Sequence, residues 1–413
     1  MAQQPSSISV EKHLDRVLSG LVAMPSATIR LEDAAGLVLA GAVNAAADVP
    51  GFDNSSMDGY AVRRDDLLSA SADSPVVLPV IADIAAGSRQ STFVAPGTVA
   101  RIMTGAPLPD GADAIVPIEV TDQGTTRVAI IETPAPAAFI RRAGSDVRTG
   151  DQVLAAGTLL TARQLAAAAA VGCREVVVHR APRIGIISTG SELVSAGTEL
   201  KHGQIYDSNS QLLAAAVTEA GGIAVRLGSV PDDDETLRQT LSDHAAGLDA
   251  FVLSGGASVG AYDVAKAVLA PLSTMLFSAV RMQPGKPQGF GRWTDGTPVF
   301  ALPGNPVSSF VSFEVFVRPA IQKLLGRRIL QRPTRHALVT TGWRSPAGRR
   351  QYMPVALDAS ESDEVLGVHP ATPGGSGSHL VTRLASAEAL AIVDQDTTDV
   401  REGDRVTVML LES

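Results

Sequence analysis

Three turns in this 413-residue chain have the residue types and spacing to hold a phosphate. Ser188-Thr189-Gly190-Ser191-Glu192 and Ser254-Gly255-Gly256-Ala257-Ser258-Val259-Gly260 lack bulky side chains at the turn, and each follows a short apolar run (Ile184 to Ile187, Ala250 to Leu253). Such turns let backbone N–H groups approach an anion closely. The hydroxyls of Ser188 and Thr189 add donors at the head of a candidate helix N-terminus. The third turn, Leu302-Pro303-Gly304-Asn305-Pro306, precedes an apolar helix with Ser308 and Ser309 as early-helix donors. Carboxylates sit close by, at Glu192, Asp263 and Asp232-Asp233-Asp234. A carboxylate beside a phosphate is repulsive unless a divalent cation lies between them, and Mg²⁺ commonly bridges the two. Asp232 to Glu235 also reads as the acidic first turn of a helix, which the macrodipole favours. Pro284-Gly285-Lys286-Pro287 stiffens the backbone on both sides of one ammonium group.

The elements that must position these groups repeat in order: apolar strand, Gly/Ser turn, helix. Ser210 to Gly221 has helical spacing at Leu212, Leu213, Ala216 and Val217 and stops on Gly221-Gly222. That pattern predicts a doubly wound α/β domain, whose ligands sit at the carboxyl ends of its strands.

Around this centre the texture changes. Residues 8 to 41 have helical spacing, in Val10, Leu14, Val17, Leu18 and Leu21 and again in Leu31 to Leu39. Asp48 to Ala61 is a turn-rich loop in which Asp48, Asp53, Asn54 and Asp58 converge. From Ser74 to Phe139 short β-branched runs alternate with Gly, Pro and Asp turns, and Thr104 lies exposed at a strand break. Ile140 to Gly150 returns to the helical part and places Asp146 among basic residues, of which Arg141-Arg142 reads as solvated. Thr161 to Val171 is an Ala-rich helix, read as core packing, with close approach to a second subunit as the alternative. After Arg327 the chain is β-rich to its end, with a Gly/Ser turn at Pro373 to His379. The expected divisions are 1–47 with 140–181, 48–139, 182–327 and 328–413.

Composition bounds the partners. A net charge of −9 argues against broad nucleic-acid or anionic-membrane binding, and 4% aromatics leave little for base stacking. One cysteine, Cys173, permits no internal disulfide and fits a reducing compartment. No secretory signal is apparent in Met1 to Gly20, and no apolar run approaches the ~20 residues of a membrane span. A cytoplasmic protein is expected.

Seven motifs occur in a fixed order: Phe52-Asp-Asn-Ser-Ser-Met-Asp-Gly-Tyr-Ala61, Arg101-Ile-Met-Thr-Gly-Ala-Pro107, Ser188-Thr-Gly-Ser-Glu-Leu193, Gln204-Ile-Tyr-Asp-Ser-Asn209, Ser254-Gly-Gly-Ala-Ser-Val-Gly260, Pro284-Gly-Lys-Pro287 and Pro303-Gly-Asn-Pro306. Along its whole length the chain resembles the molybdopterin molybdenumtransferases, the bacterial MoeA family to which the E domain of gephyrin is similar.

The resemblance implies a homodimer of four-domain subunits. Its parts are a discontinuous helical dimerising segment, an inserted β domain, a molybdopterin-binding α/β domain and a C-terminal β-barrel. It implies that adenylylated molybdopterin and molybdate are substrates, that Mg²⁺ assists cleavage of the phosphoanhydride, and that AMP leaves. The implied catalytic groups are Asp58, Thr104, Asp146, Glu192 and Asp263, with Glu192, Asp232 and Asp263 as metal ligands and Asp58 and Thr104 acting across the dimer interface. The α/β substrate-binding set is Ser188, Thr189, Asp207, Ser208, Asp232, Gly255, Gly256 and Ser258. Arg281, Lys286, Pro303, Asn305 and Ser378 complete it. Many members carry Lys where this chain has Ala279 and Gln283, which leaves Arg281 and Lys286 as the expected oxyanion cations. Molybdate and tungstate read alike here. Molybdoenzymes or an adenylyltransferase are the implied partners. The competing readings are a molybdopterin adenylyltransferase, whose single domain resembles residues 182–327, and a gephyrin-like scaffold.

Overall fold

A computed structural model describes residues 7–89, 91–255, 264–358, 366–372, 377 and 380–411. Its centre is a seven-stranded sheet in the order Ser7–Ile8, Leu276–Val280, Pro287–Arg292, Pro298–Leu302, Ala250–Ser254, Arg183–Thr189, Ile223–Val230. All neighbours run parallel except Pro287–Arg292, which is antiparallel to both of its own. The apolar runs form the inner strands because both faces are covered, which is how parallel sheets occur. Alternation divides them. Ile184, Ile186, Val252 and Phe300 pack under helix Ser208–Glu219 and the Phe313–Leu324 region. Ile187, Phe251, Leu253 and Val299 pack under helices Asp234–Ala245 and Val264–Leu269 on the other face. The domain is doubly wound, as its sequence pattern predicts.

The strand order reverses between Arg183–Thr189 and Ala250–Ser254, and a crevice opens at such a point beyond the carboxyl ends. Residues that follow the parallel strands, namely Gly190 to Glu192, Asp232, Gly255 and Pro303 to Asn305, line this one edge. Strand Leu276–Val280 also runs parallel to them, so the Pro284 to Pro287 turn that follows lies at the same edge.

The insertion is a five-stranded sheet in the order Arg127–Ile130, Val76–Ile84, Val99–Ile102, Gly59–Val62, Ala114–Pro117. Its hydrophobic cores share no residue with those of the α/β unit. Gly59 is required by packing: a Cβ there would lie 2.0 Å from the Val116 carbonyl oxygen. In the C-terminal part, Arg350–Asp358, Gly367–Pro370, Thr334–Val339, Arg405–Leu410 and Ala389–Val393 close on themselves as a five-stranded barrel. Met282–Gln283 adds to that barrel beside Arg350 and Gln351, so the Pro-Gly-Lys-Pro turn is tied to both units. Among the described residues no helix is long and apolar enough to cross a membrane.

Two expectations are corrected. Residues 8 to 41 are not helical throughout. Helix Val10–Ser19 forms, with Ser9 as its N-cap, but Leu31–Asp33 is a 3₁₀ turn between strands Ser26–Arg30 and Val38–Leu39. Strand Glu175–His179 supplies the reason, since it pairs with both and its Val176 and Val178 share their core. Tertiary pairing there overrides local spacing. The Ala-rich helix, Ala162–Ala170, buries only Ala168, while Ala166, Ala169 and Ala170 stay exposed in a single chain. Core packing therefore does not explain the run.

His13 sits in helix Val10–Ser19 at 1% exposure, edge-on to Phe316 with centroids 4.7 Å apart, and its Nδ1 has no partner among the described residues. Burial lowers its pKa to about 4, with the Arg16 charge adding to the effect, so the ring is neutral in the folded protein. Its contribution is complete above the ordinary pKa near 6.5 and is lost as pH falls through the folded value. Between pH 7 and 4, urea unfolding of the wild type is expected to lose about 3 kcal/mol more than His13→Leu does. Equal losses contradict the neutral buried ring. Gly59→Ala is expected to lower stability by about 2–3 kcal/mol, measured by the same denaturation, through the forced shift of Val116.

Candidate active site

The switch-point crevice is built by one buried side-chain amide. Asn209, at the start of helix Ser208–Glu219, donates through Nδ2 to Ser254 Oγ at 2.6 Å and to the Gly304 carbonyl at 2.6 Å. Ser309 donates to the Pro303 carbonyl and lies 3.5 Å from Ser254 Oγ. The end of strand Ala250–Ser254 and the turn after Pro298–Leu302 are thereby held against the head of helix Ser208–Glu219. Thr189 donates to the Gly255 carbonyl, and Gly255 adopts φ +88°, where a Cβ would lie 2.8 Å from both oxygens of Thr189. Only glycine fits there. The result is a floor of backbone and small side chains, the surface an anion can approach most closely.

Several predicted site residues prove to build this floor. Asp207 caps helix Ser208–Glu219 by accepting from Ser210 N at 3.0 Å, and Ser188 donates to the same oxygen at 2.9 Å. Ser188 and Asp207 thus satisfy each other. Ser208 is the first residue of that helix. Asp232 and Ser191 are joined twice: Ser191 N donates to Oδ2 at 3.1 Å, and Asp232 N donates to Ser191 Oγ at 3.0 Å. That pair fixes the turns after two adjacent strands, with Glu192 the next residue along the first. Glu192 is exposed, with its carboxylate folded over Gly190. Asp233, not Asp232, is the N-cap of helix Asp234–Ala245.

In the insertion, Asp58 precedes strand Gly59–Val62 and Thr104 follows strand Val99–Ile102, and register places Gly59 opposite Ile102. Asp58 Oδ1 accepts from Thr104 N at 2.7 Å and Thr104 Oγ1 at 2.8 Å. Those two bonds, the backbone one first, hold the exposed Asp58 carboxyl below its usual range. The other polar groups of that loop have structural partners. Asp48 accepts from the backbone and hydroxyl of Thr149, Asp53 from Arg142 and Ala143 N, and Asn54 donates to the Phe52 carbonyl. Arg142 is therefore more than a solvated charge. Asp146 is exposed, and its backbone N donates to the Val49 carbonyl.

The basic groups separate. Lys286 is exposed at the carboxyl edge on a turn held by buried Gln288, which donates to the Gly285 carbonyl at 2.7 Å. Arg281 instead donates to the Ser7 carbonyl at 3.4 Å and lines a cleft of about 250 Å³ with Glu11, Arg350, Asp394 and Asp396. Arg349, which sequence reasoning missed, donates to Gln283 Oε1 at 3.1 Å. It brings a guanidinium to Gln283. Its signal was non-local, because the pairing of strand Met282–Gln283 with Arg350–Asp358 alone places it there. Asn209 and Ser191 were also missed as positioning groups, although both lie within recognised motifs. Gly256, Ser258, Asp263 and Ser378 lie outside the described residues. Pro303 and Asn305 lie on the turn that the Asn209 amide holds, and Asn305 is the N-cap residue of helix Pro306–Ser312.

One polar edge is assembled within the chain, and Asp58 with Thr104 forms a second group on a separate core. Sequence and structure comparisons relate the chain to known proteins. The family description "MoeA N-terminal region (domain I and II)" matches residues 8–172, "Probable molybdopterin binding domain" matches 185–323, and "MoeA C-terminal region (domain IV)" matches 336–411. A protein of Mycobacterium tuberculosis named molybdopterin molybdenumtransferase 2 is 43% identical over 406 residues, covering 97% of this chain and 98% of its own. A Nostoc molybdopterin molybdenumtransferase is 38% identical over 91% of this chain and 86% of its own. The crystal structure of a molybdopterin biosynthesis MoeA protein from Pyrococcus horikoshii superposes with a TM-score of 0.85 at 27% identity, over 98% of this chain and all of that one. Full-length identity at this level, with all three regions matched in order, makes this chain a member of the molybdopterin molybdenumtransferase (MoeA) family.

Proposed function

We propose that this chain completes the molybdenum cofactor by inserting molybdenum into adenylylated molybdopterin, taking molybdate, cleaving the phosphoanhydride with Mg²⁺ and releasing AMP. The observation that carries the reading is the row of groups along one sheet edge. Lys286, the Pro303 to Asn305 turn, Gly255 with Thr189, and Glu192 with Asp232 follow one another across it, offering cation, backbone donors and carboxylates in sequence.

The oxygen donors there suit Mg²⁺, a hard cation that keeps several waters and takes only one or two protein carboxylates beside substrate phosphates. Ser191 holds the Asp232 turn beside Glu192, which puts two such carboxylates on adjacent strand ends. Glu192 and Asp232, with Asp263, would hold the ion, and its chemistry is neutralisation of charge on the phosphate oxygens.

The chain's own groups then have distinct tasks. The Gly255 turn and the Pro303 to Asn305 turn seat the pterin phosphate against a floor that Asn209 keeps rigid. Lys286, with Arg349 next to Gln283, holds the molybdate oxyanion in place of the lysines common in relatives. Asp58 stays ionised because Thr104 donates to it twice, so it can accept from or orient a polar group of the substrate. The insertion's separate core supports an arrangement in which Asp58 and Thr104 serve the edge of a second copy in a homodimer. The exposed small face of helix Ala162–Ala170 suits that assembly. A cytoplasmic enzyme handing its product to molybdoenzymes fits the same reading.

The test is turnover with adenylylated molybdopterin, molybdate and Mg²⁺, reading AMP release and finished cofactor. Asp58→Asn and Thr104→Ala are each expected to lower kcat by about 10²-fold with folding intact. Arg349→Ala is expected to raise KM for molybdate about tenfold with little change in kcat. Wild-type protein that binds the pterin but releases no AMP with either molybdate or tungstate would overturn the assignment.

A further inference from the structure

A cleft of about 640 Å³ opens on the outer side of helix Ser208–Glu219, between that helix, Phe310 and the barrel's short helix Val381–Leu384. Its walls are largely apolar, from Leu212, Phe310, Leu384 and Leu411, but two guanidiniums also line it, those of Arg318 and Arg332. Each nitrogen of Arg332 is engaged. Its Nε donates to Glu314 Oε2 at 2.5 Å, Nη2 to Glu314 Oε1 at 3.2 Å, and Nη1 to the Leu411 carbonyl. Arg318 reaches the same Glu314 oxygen only at 3.9 Å, and its Nη1 is buried without an acceptor among the described residues. One buried carboxylate therefore serves two guanidiniums. Glu219 does not make up the difference, since it lies 4.0 Å from Arg332 with 65% of its side chain exposed, where solvent screens it. Burial lowers the pKa of Arg318, the mark of a cation that is poorly compensated.

We propose that this cleft is a binding site for a small monocarboxylate with an apolar body, its carboxylate paired to Arg318 and its body packed on Leu212, Phe310 and Leu384. A guanidinium edge matches a planar carboxylate in shape and in hydrogen-bond geometry, and only one buried carboxylate, Glu314, faces the two guanidiniums. The volume falls within the ~300–1,000 Å³ typical of small-molecule sites, and the one carboxylate in the lining, Glu219, is largely exposed at its rim. The site is separate from the carboxyl edge. Its helix residues, Leu212 to Glu219, lie one to three turns beyond the Asp207 cap. Because Leu384 and Leu411 belong to the C-terminal part and Phe310 to the α/β unit, the ligand would bridge the two.

Isothermal titration of the full chain with 3-phenylpropionate tests the assignment, with acetate and 3-phenylpropanol as the head group and the uncharged analogue. Saturable binding of 3-phenylpropionate is expected, at least about tenfold tighter than either control. Arg318→Met, which removes a poorly compensated buried cation and should fold at least as well, is expected to weaken it by the same factor. Leu212→Trp, which fills the cleft and leaves the guanidinium in place, is expected to abolish it. The proposal is overturned if folded Arg318→Met binds as the wild type does, if the alcohol binds as tightly as the acid, or if the wild type shows no saturable binding up to about 10 mM.

Discussion

The Asn209 amide joins three elements that sequence keeps far apart: the head of helix Ser208–Glu219, the end of strand Ala250–Ser254 and the Pro303 to Asn305 turn. Neither of its donor bonds can be lost cheaply, because Ser254 is buried and a buried polar group without a partner costs roughly 1–3 kcal/mol. The adjacent residues extend the constraint. Asp207 caps the same helix and takes the Ser188 hydroxyl, while Ser309 takes the Pro303 carbonyl. The described parts of the switch-point turns are thus set by their neighbours, and among the described residues the floor they form has no bulky side chain. Preorganised backbone of this kind is what phosphate chemistry requires, since alignment and electrostatics carry most of it.

The acids of the chain fall into two physical kinds. Asp48, Asp53, Asp207 and Asp233 are anchored by backbone or side-chain donors of nearby segments and act as clasps. Glu192 is exposed at the carboxyl edge, and Asp232 stands there with a clasp to Ser191. Asp58 belongs to both kinds. Its bonds to Thr104 fix its orientation and its charge, yet it stays open to solvent. Gly59, which no larger residue can replace beside Val116, sets the strand from which it projects.

The doubly wound unit was legible because its strands are buried on both faces and write that burial as apolar runs ending in Gly/Ser turns. The closed barrel and the β insertion were legible as textures, although closure itself depends on pairing between strands Arg350–Asp358 and Ala389–Val393. Leu31 to Leu39 misled, because its leucine spacing suits a helix while strand Glu175–His179, far away in sequence, claims it for a sheet. At the site, the motifs located the turns correctly but not the division of labour within them. Ser188 and Asp207 looked like ligand groups and turned out to satisfy one another. Arg281 looked, with Lys286, like an oxyanion cation and instead lines a cleft with Glu11, Asp394 and Asp396, while Arg349 arrives through a strand pairing that no local pattern announces.

In the proposed function one site is shared between two copies of the chain, with Asp58 and Thr104 from one and the carboxyl edge from the other. Mixing Asp58→Asn with Lys286→Ala, each expected to be strongly impaired alone, after subunit exchange tests this directly. A shared site leaves one intact site in each mixed dimer, so turnover should return to about a quarter of the wild-type value. Exchange demonstrated by mass, with no recovery of turnover, would show that both groups must come from the same chain and would contradict the account.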